Sequence, residues 1–122
     1  MTAHTRLSTV GAAALVWFLV SQTCSAAELI MFRRSGCSYC RTWDREVGPI
    51  YPKSDLGRQA PIRMVDLDKD DQPKVHLHRS VYYTPTFVLV HDGREVGRVE
   101  GYPGEEFFWA LLDRLLRTLP GP

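Results

Sequence analysis

Cysteine is scarce in this chain, with only Cys24, Cys37 and Cys40 among 122 residues. No second Cys-x-x-Cys accompanies the pair at 37 and 40, so the four-thiolate set of a structural zinc site is missing. Charge of one sign is missing too. The formal net charge of +1 creates no long-range field to draw nucleic acid or an anionic membrane, and partners must be met at a local site. No apolar run approaches the ~20 residues needed to span hydrocarbon, the longest being residues 10–20. Internal repeats and low-complexity tracts are also absent, which leaves a single small domain of ordinary globular balance, 44% hydrophobic and 24% charged.

The beginning of the chain differs in kind from the rest. Residues 1–9 carry His4 and Arg6 without an acid, residues 10–20 are almost wholly apolar, and Ser25, Ala26 and Ala27 are small. This is the three-part layout of a secretory signal. Cleavage after Ala27 puts small residues at both positions the peptidase reads, and cleavage after Ala26 uses Cys24 instead. The apolar run is too short for a retained anchor, and Ser21-Gln-Thr23 lacks the pattern that precedes a lipid-modified cysteine. The expected organisation is therefore a signal peptide over residues 1–27 and one domain over 28–122. Export removes Cys24 and leaves Cys37 and Cys40 in a compartment where disulfides persist.

Periodicity orders the elements. Residues 28–32 form a short apolar strand, and Arg33-Arg-Ser-Gly36 breaks it. From Cys37 the spacing of Tyr39, Trp43 and Val47 is helical until Gly48-Pro49. Residues 51–61 read as a loop with room for one helical turn, 62–67 as a second strand, and 74–79 as a short helix. Residues 86–90 and 95–99 flank Asp92-Gly93, whose glycine suits a tight primed turn. In residues 105–119, Phe108, Leu111, Leu112, Leu115 and Leu119 share one helical face. The expected order is β-α-β-α-β-β-α, an α/β fold.

A disulfide across Cys37 and Cys40 would close too small a loop to stabilise the fold much, so its natural use is exchange. At the start of a helix, Cys37 faces free backbone N–H groups that can lower a thiol pKa from ~8.5 into the range ~3.5–7.5, and Arg33 and Arg34 are expected to push the same way. Cys37 is therefore the expected nucleophile and Cys40, one turn further in, the resolving residue. Ser38 and Tyr39 between them tune the redox poise, and Tyr39 offers an aromatic face. A metal reading would need His76, His78 or His91 as companions, and a helical 74–79 segment points His76 and His78 to different sides. Asp66-Leu-Asp-Lys-Asp70 resembles a calcium loop only briefly, since Asp71 stands where glycine is required and Leu77 where glutamate is. No metal and no cofactor are expected.

Tyr83-Thr-Pro-Thr-Phe87 lies just ahead of a strand, where proline cannot donate to the sheet. With this loop following the strand, turn, cysteine pair and helix, the chain resembles the thioredoxin superfamily over residues 28–119. The resemblance implies a central mixed β-sheet flanked by helices and a cis Thr84–Pro85 bond beside the cysteines. It further implies a substrate-binding rim of Thr84, Pro85, Ser38 and Tyr39, with the Thr84 backbone open to an extended chain. The usual Trp-Cys-Gly-Pro-Cys is here Gly36-Cys-Ser-Tyr-Cys40, and Met31 replaces the buried acid of thioredoxins, so proton transfer during resolution falls to water.

Trp43-Asp44, Gly48-Pro-Ile-Tyr-Pro52, Val65-Asp-Leu67, Thr84-Pro-Thr-Phe-Val-Leu-Val90 and Glu100-Gly-Tyr-Pro-Gly-Glu-Glu-Phe-Phe-Trp109 are similar to the periplasmic thioredoxins of the bacterial sulfur-oxidation (Sox) system. That narrower resemblance implies a periplasmic reductase of a protein disulfide, with the carrier cysteine of the SoxYZ complex as target and a thiol-reducing membrane protein as electron donor. A monomer is expected. An oxidase or isomerase of the same fold, and a non-catalytic metal-binding or chaperone module, stay open on sequence alone.

Overall fold

Strand β1 (Glu28–Arg33) carries apolar side chains on both faces, a pattern that is satisfied only at the centre of a covered sheet. The computed structural model, which describes residues 26–69 and 72–121, places it there. β1 pairs in parallel with β2 (Ile62–Asp66) and antiparallel with β3 (Thr86–His91). β3 pairs antiparallel with β4 (Arg94–Glu100), completing the order β2-β1-β3-β4. The expected signal peptide and Asp70 and Asp71 of the acidic run fall outside the described residues, apart from Ala26 and Ala27.

Helix α1 (Ser38–Glu46), the short α2 (Asp55–Gln59) and α3 (Glu105–Leu116) complete the elements of the described residues, with a 3-10 turn at Tyr51–Lys53. On one face of the sheet Leu29, Met31, Phe87 and Leu89 pack with Trp43 of α1 and with Phe108 and Leu112 of α3. Aromatic rings dominate this layer: Phe87 and Phe108 meet edge to face at 4.9 Å, and Trp43 lies 5.6 Å from Phe87. The indole Nε1 of Trp43 is buried there without a hydrogen-bond partner. Leu116, outside the expected stripe, is buried in α3, while Leu111, Leu115 and Leu119 pack at its margin.

The mixed sheet, the flanking helices and the hairpin follow the expectation. Asp92 and Gly93 both take positive φ, 53° and 69°, as a primed turn demands. The helix expected at residues 74–79 is absent. That segment is extended, and the reason is pairing and alternation. The His76 N–H donates to the Gly93 carbonyl at 2.8 Å and the Glu95 N–H to the His76 carbonyl at 2.9 Å. Extended backbone also lets Val75 and Leu77 both reach the second sheet face, where they cover Ile30, Phe32, Val88 and Val90 together with Leu67 and Val81. The helical turn in the preceding loop is α2.

Helix α2 depends on one glycine. The Ser54 hydroxyl accepts the Gly57 N–H at 2.9 Å and donates to the Tyr51 carbonyl at 2.7 Å, drawing the backbone in so closely that a Cβ on Gly57 would stand 1.8 Å from that carbonyl oxygen. Gly57→Ala is expected to destabilise the fold by about 3 kcal/mol or more in urea denaturation, because backbone must move. Gly97→Ala meets only the flexible end of Leu115 at 2.5 Å and should cost about 1 kcal/mol. Equal stabilities for the two variants would refute this reading.

Candidate functional site

The site begins where β1 ends. The Cys37 N–H donates to the Arg34 carbonyl at 3.3 Å, closing a turn in which Gly36 holds a φ of +79° that other residues rarely adopt. The turn delivers Cys37 as the N-cap of α1, with extended φ and ψ of −72° and 101°. Its sulfur accepts the Cys40 N–H at 3.1 Å and is bonded to the Cys40 sulfur, the two Cα atoms lying 5.3 Å apart. Cys37 is half-buried, whereas Cys40 is fully buried. No acidic side chain occupies the first turn of α1, and Arg45 sits in its last turn, so negative charge at Cys37 would meet an uncontested positive helix end.

The two arginines before the turn behave differently from expectation. Arg33 forms a bidentate pair with Asp44 of α1 at 2.9 and 2.7 Å, and that hydrogen bond raises its pKa above the ordinary guanidinium value. Arg34 lies 3.4 Å from Asp68. Both charges are thus largely matched by carboxylates, and Arg33 instead ties α1 to the end of β1. A pocket of about 260 Å³ opens beside Cys37, lined also by Arg34, Arg41 and Asp66.

The other half of the site comes from the start of β3. Phe32 of β1 pairs with Thr86, so the loop after β1 and the loop before β3 emerge at the same end of the sheet. The Thr84–Pro85 bond is cis and Pro85 is buried. Around it the Thr86 hydroxyl donates to the Tyr83 carbonyl and the Gly101 N–H to the Pro85 carbonyl, each at 2.7 Å. Among the described residues the Thr84 N–H and C=O take no hydrogen-bond partner. Ser38 is exposed, and Tyr39, Tyr82 and Tyr83 are 63%, 72% and 66% exposed, an unusual aromatic density for open surface.

Met31, at the position where the resemblance implies a buried acid, is fully buried. The buried carboxylate among the described residues is Glu95, paired with Arg98 and facing residues 78–80 rather than the cysteines. Sequence reasoning read both only as hairpin positions. Residues three apart in a regular strand face opposite sides, so their pairing had no visible signal. His76 and His78 are exposed and His91 lies 3.5 Å from Asp92. No three His, Cys, Asp or Glu side chains converge as metal ligands would among the described residues.

In the reduced protein, alkylation of Cys37 should titrate well below the ordinary thiol value of ~8.5, its rate rising with pH through that lowered pKa and then levelling. Cys40 should resist alkylation in the same range because it is buried. A Cys37 profile centred near the free-thiol value would remove the electrostatic account of this site.

Comparison with known proteins agrees with this geometry. Residues 25–116 match the thioredoxin-like domain family. The crystal structure of the periplasmic thioredoxin SoxS from Paracoccus pantotrophus superposes with a TM-score of 0.71 at 47% sequence identity, covering 75% of this chain and 96% of that one. Thioredoxin H-type 1 of Nicotiana tabacum is 34% identical over 79 residues, 64% of this chain and 58% of its own length. Thioredoxin H2-1 of Oryza sativa is 31% identical over 91 residues, 75% of this chain and 59% of its own length. The chain thus spans under two thirds of either plant relative, and the family match over residues 25–116 contains the whole sheet, both cysteines and the proline loop. With a cysteine pair capping a helix at the same sheet end as a cis-proline, and a match over residues 25–116, the chain belongs to the thioredoxin-like domain family.

Proposed function

We propose that this protein is an exported thiol–disulfide oxidoreductase that works as a disulfide reductase. The observation that carries the reading is the Cys37–Cys40 disulfide at the N-terminus of α1, on the same sheet end as the unpaired backbone of Thr84.

In the reduced enzyme the Cys37 thiolate attacks one sulfur of a partner disulfide. A bond forms from Cys37 to that sulfur, and the other partner sulfur leaves as a thiolate. Cys40, losing its proton to water, then attacks the Cys37 sulfur, closes the intramolecular disulfide and releases the second partner thiolate, which takes up a proton. The partner has gained two electrons and the enzyme has lost them. Thr84 and Pro85 position the partner chain as an added strand, and Ser38 and Tyr39 form the rim it crosses. No cofactor takes part.

Similarity and the first residues support the proposed cellular setting. SoxS of Paracoccus pantotrophus is a periplasmic thioredoxin, and residues 1–27 here have the layout of a cleaved signal, leaving residues 28–122 as the working domain in the periplasm. The proposed target is a disulfide or mixed disulfide on a Sox partner, the carrier cysteine of SoxYZ. A membrane protein of the thiol-reducing type returns the electrons, and the enzyme acts as a monomer.

The potential of the cysteine pair decides the direction. A value near about −270 mV supports a reductant, and one near about −120 mV would convert the assignment to an oxidase. Cys40→Ser should accumulate a covalent adduct at Cys37, and mass analysis of that adduct names the partner. A Cys37→Ser, Cys40→Ser double variant that still reduces insulin would end the cysteine mechanism.

A further inference from the structure

Strand β4 contains a bulge. Leu89 pairs with Gly97 and Val90 with Glu95, so Val96 is the extra residue. The irregularity turns Glu95 and Arg98, three apart, to the same side. There both side chains are almost fully buried, at 1% and 5% exposure. Arg98 Nε and Nη2 donate to the two carboxylate oxygens of Glu95 at 2.6 and 2.7 Å.

The pair also reaches outward to the chain that leads to the proline loop. Arg98 Nη2 donates to the Arg79 carbonyl at 2.8 Å and Nη1 to the Ser80 carbonyl at 3.3 Å, while Glu95 Oε2 accepts the His78 N–H at 2.7 Å. Arg79 is tied in turn to Glu100 of β4 at 2.6 Å. Burial alone would raise the Glu95 carboxyl pKa, but the bonds from Arg98 and the His78 N–H outweigh it and hold the group below its ordinary value. Three successive residues are thus held, and the next hydrogen bonds along the chain are those of Tyr83 and Pro85. Tyr82 lies on the span between Ser80 and the Tyr83 carbonyl, and the open backbone of Thr84 lies between Tyr83 and Pro85.

We infer that Glu95 and Arg98 are a positioning pair: by fixing residues 78–80 they set the register in which Thr84 meets an extended polypeptide, and so favour protein disulfides over small ones. The inference rests on the reading of Thr84 as the docking backbone. Neither residue touches substrate. Their fork geometry matters more than their charge, since a lysine at 98 could not bond both carboxylate oxygens and two carbonyls together.

The test is a split between substrates. Arg98→Lys should raise KM for insulin about tenfold while kcat stays within about twofold. Its reaction with dithionitrobenzoate, an aryl disulfide that needs no backbone register, should stay within about twofold of wild type. Glu95→Gln, which keeps the shape of the carboxylate, should move KM in the same direction by less. An insulin KM unchanged in folded Arg98→Lys overturns the inference, as does equal loss toward both substrates. Should Arg98→Lys fail to fold, the same split in Glu95→Gln decides. Wild-type protein that reacts with dithionitrobenzoate but not with insulin would instead remove the docking reading itself.

Discussion

The antiparallel pairing of β1 with β3 is the constraint on which the site depends. Phe32 opposite Thr86 brings the end of one buried strand beside the start of another, and each strand then hands its neighbouring loop to a common edge. Cysteines that follow β1 and a proline that precedes β3, separated by more than forty residues of chain, become two halves of one surface. The pairing is itself held by burial on both faces. Leu29, Met31, Phe87 and Leu89 fill the helical side, while Ile30, Phe32, Val88 and Val90 fill the other. Each such side chain contributes about 1.5–3 kcal/mol relative to exposure, so shifting this register would be prohibitive.

On this scaffold the electrostatics are local. The positive end of α1 acts on Cys37 through the Cys40 N–H, a close dipole that does not depend on Arg33 or Arg34. Arg33 and Arg34 stand near enough to suggest otherwise, but Asp44 and Asp68 match them. The Arg33–Asp44 pair does a different job, pinning the helix that carries the cysteines to the strand that precedes them. Tyr102 adds a second tie by donating its hydroxyl to Glu46 at the far end of α1. Both ties act on the last turn of α1, at Asp44 and Glu46.

Much of this was legible in the sequence because it depends on short-range rules. The turn at Gly36, the cysteine spacing, Asp92-Gly93 and the stripe of α3 are written in neighbouring residues. The segment at 74–79 was not legible, because whether Lys74-Val-His-Leu-His-Arg79 becomes helical or extended depends on what its backbone can bond to. Those partners, Gly93 and Glu95, lie far along the chain. Glu95 and Arg98 were hidden by the bulge at Val96, since a regular strand would have turned them apart. The partners of Arg33 and Arg34 were likewise long-range.

The sheet has two outer rims of unequal character. Along β4, the bridge from His76 occupies the first residues, and Arg98 and Glu100 receive the following chain. Among the described residues β2 is left as the open rim, only five residues long, with Arg63 exposed and bound to Glu28. An unpaired strand edge invites a second chain to add to it, and brevity together with charge discourages that approach. Short and charged, β2 gives the sheet a guarded border against strands added from outside.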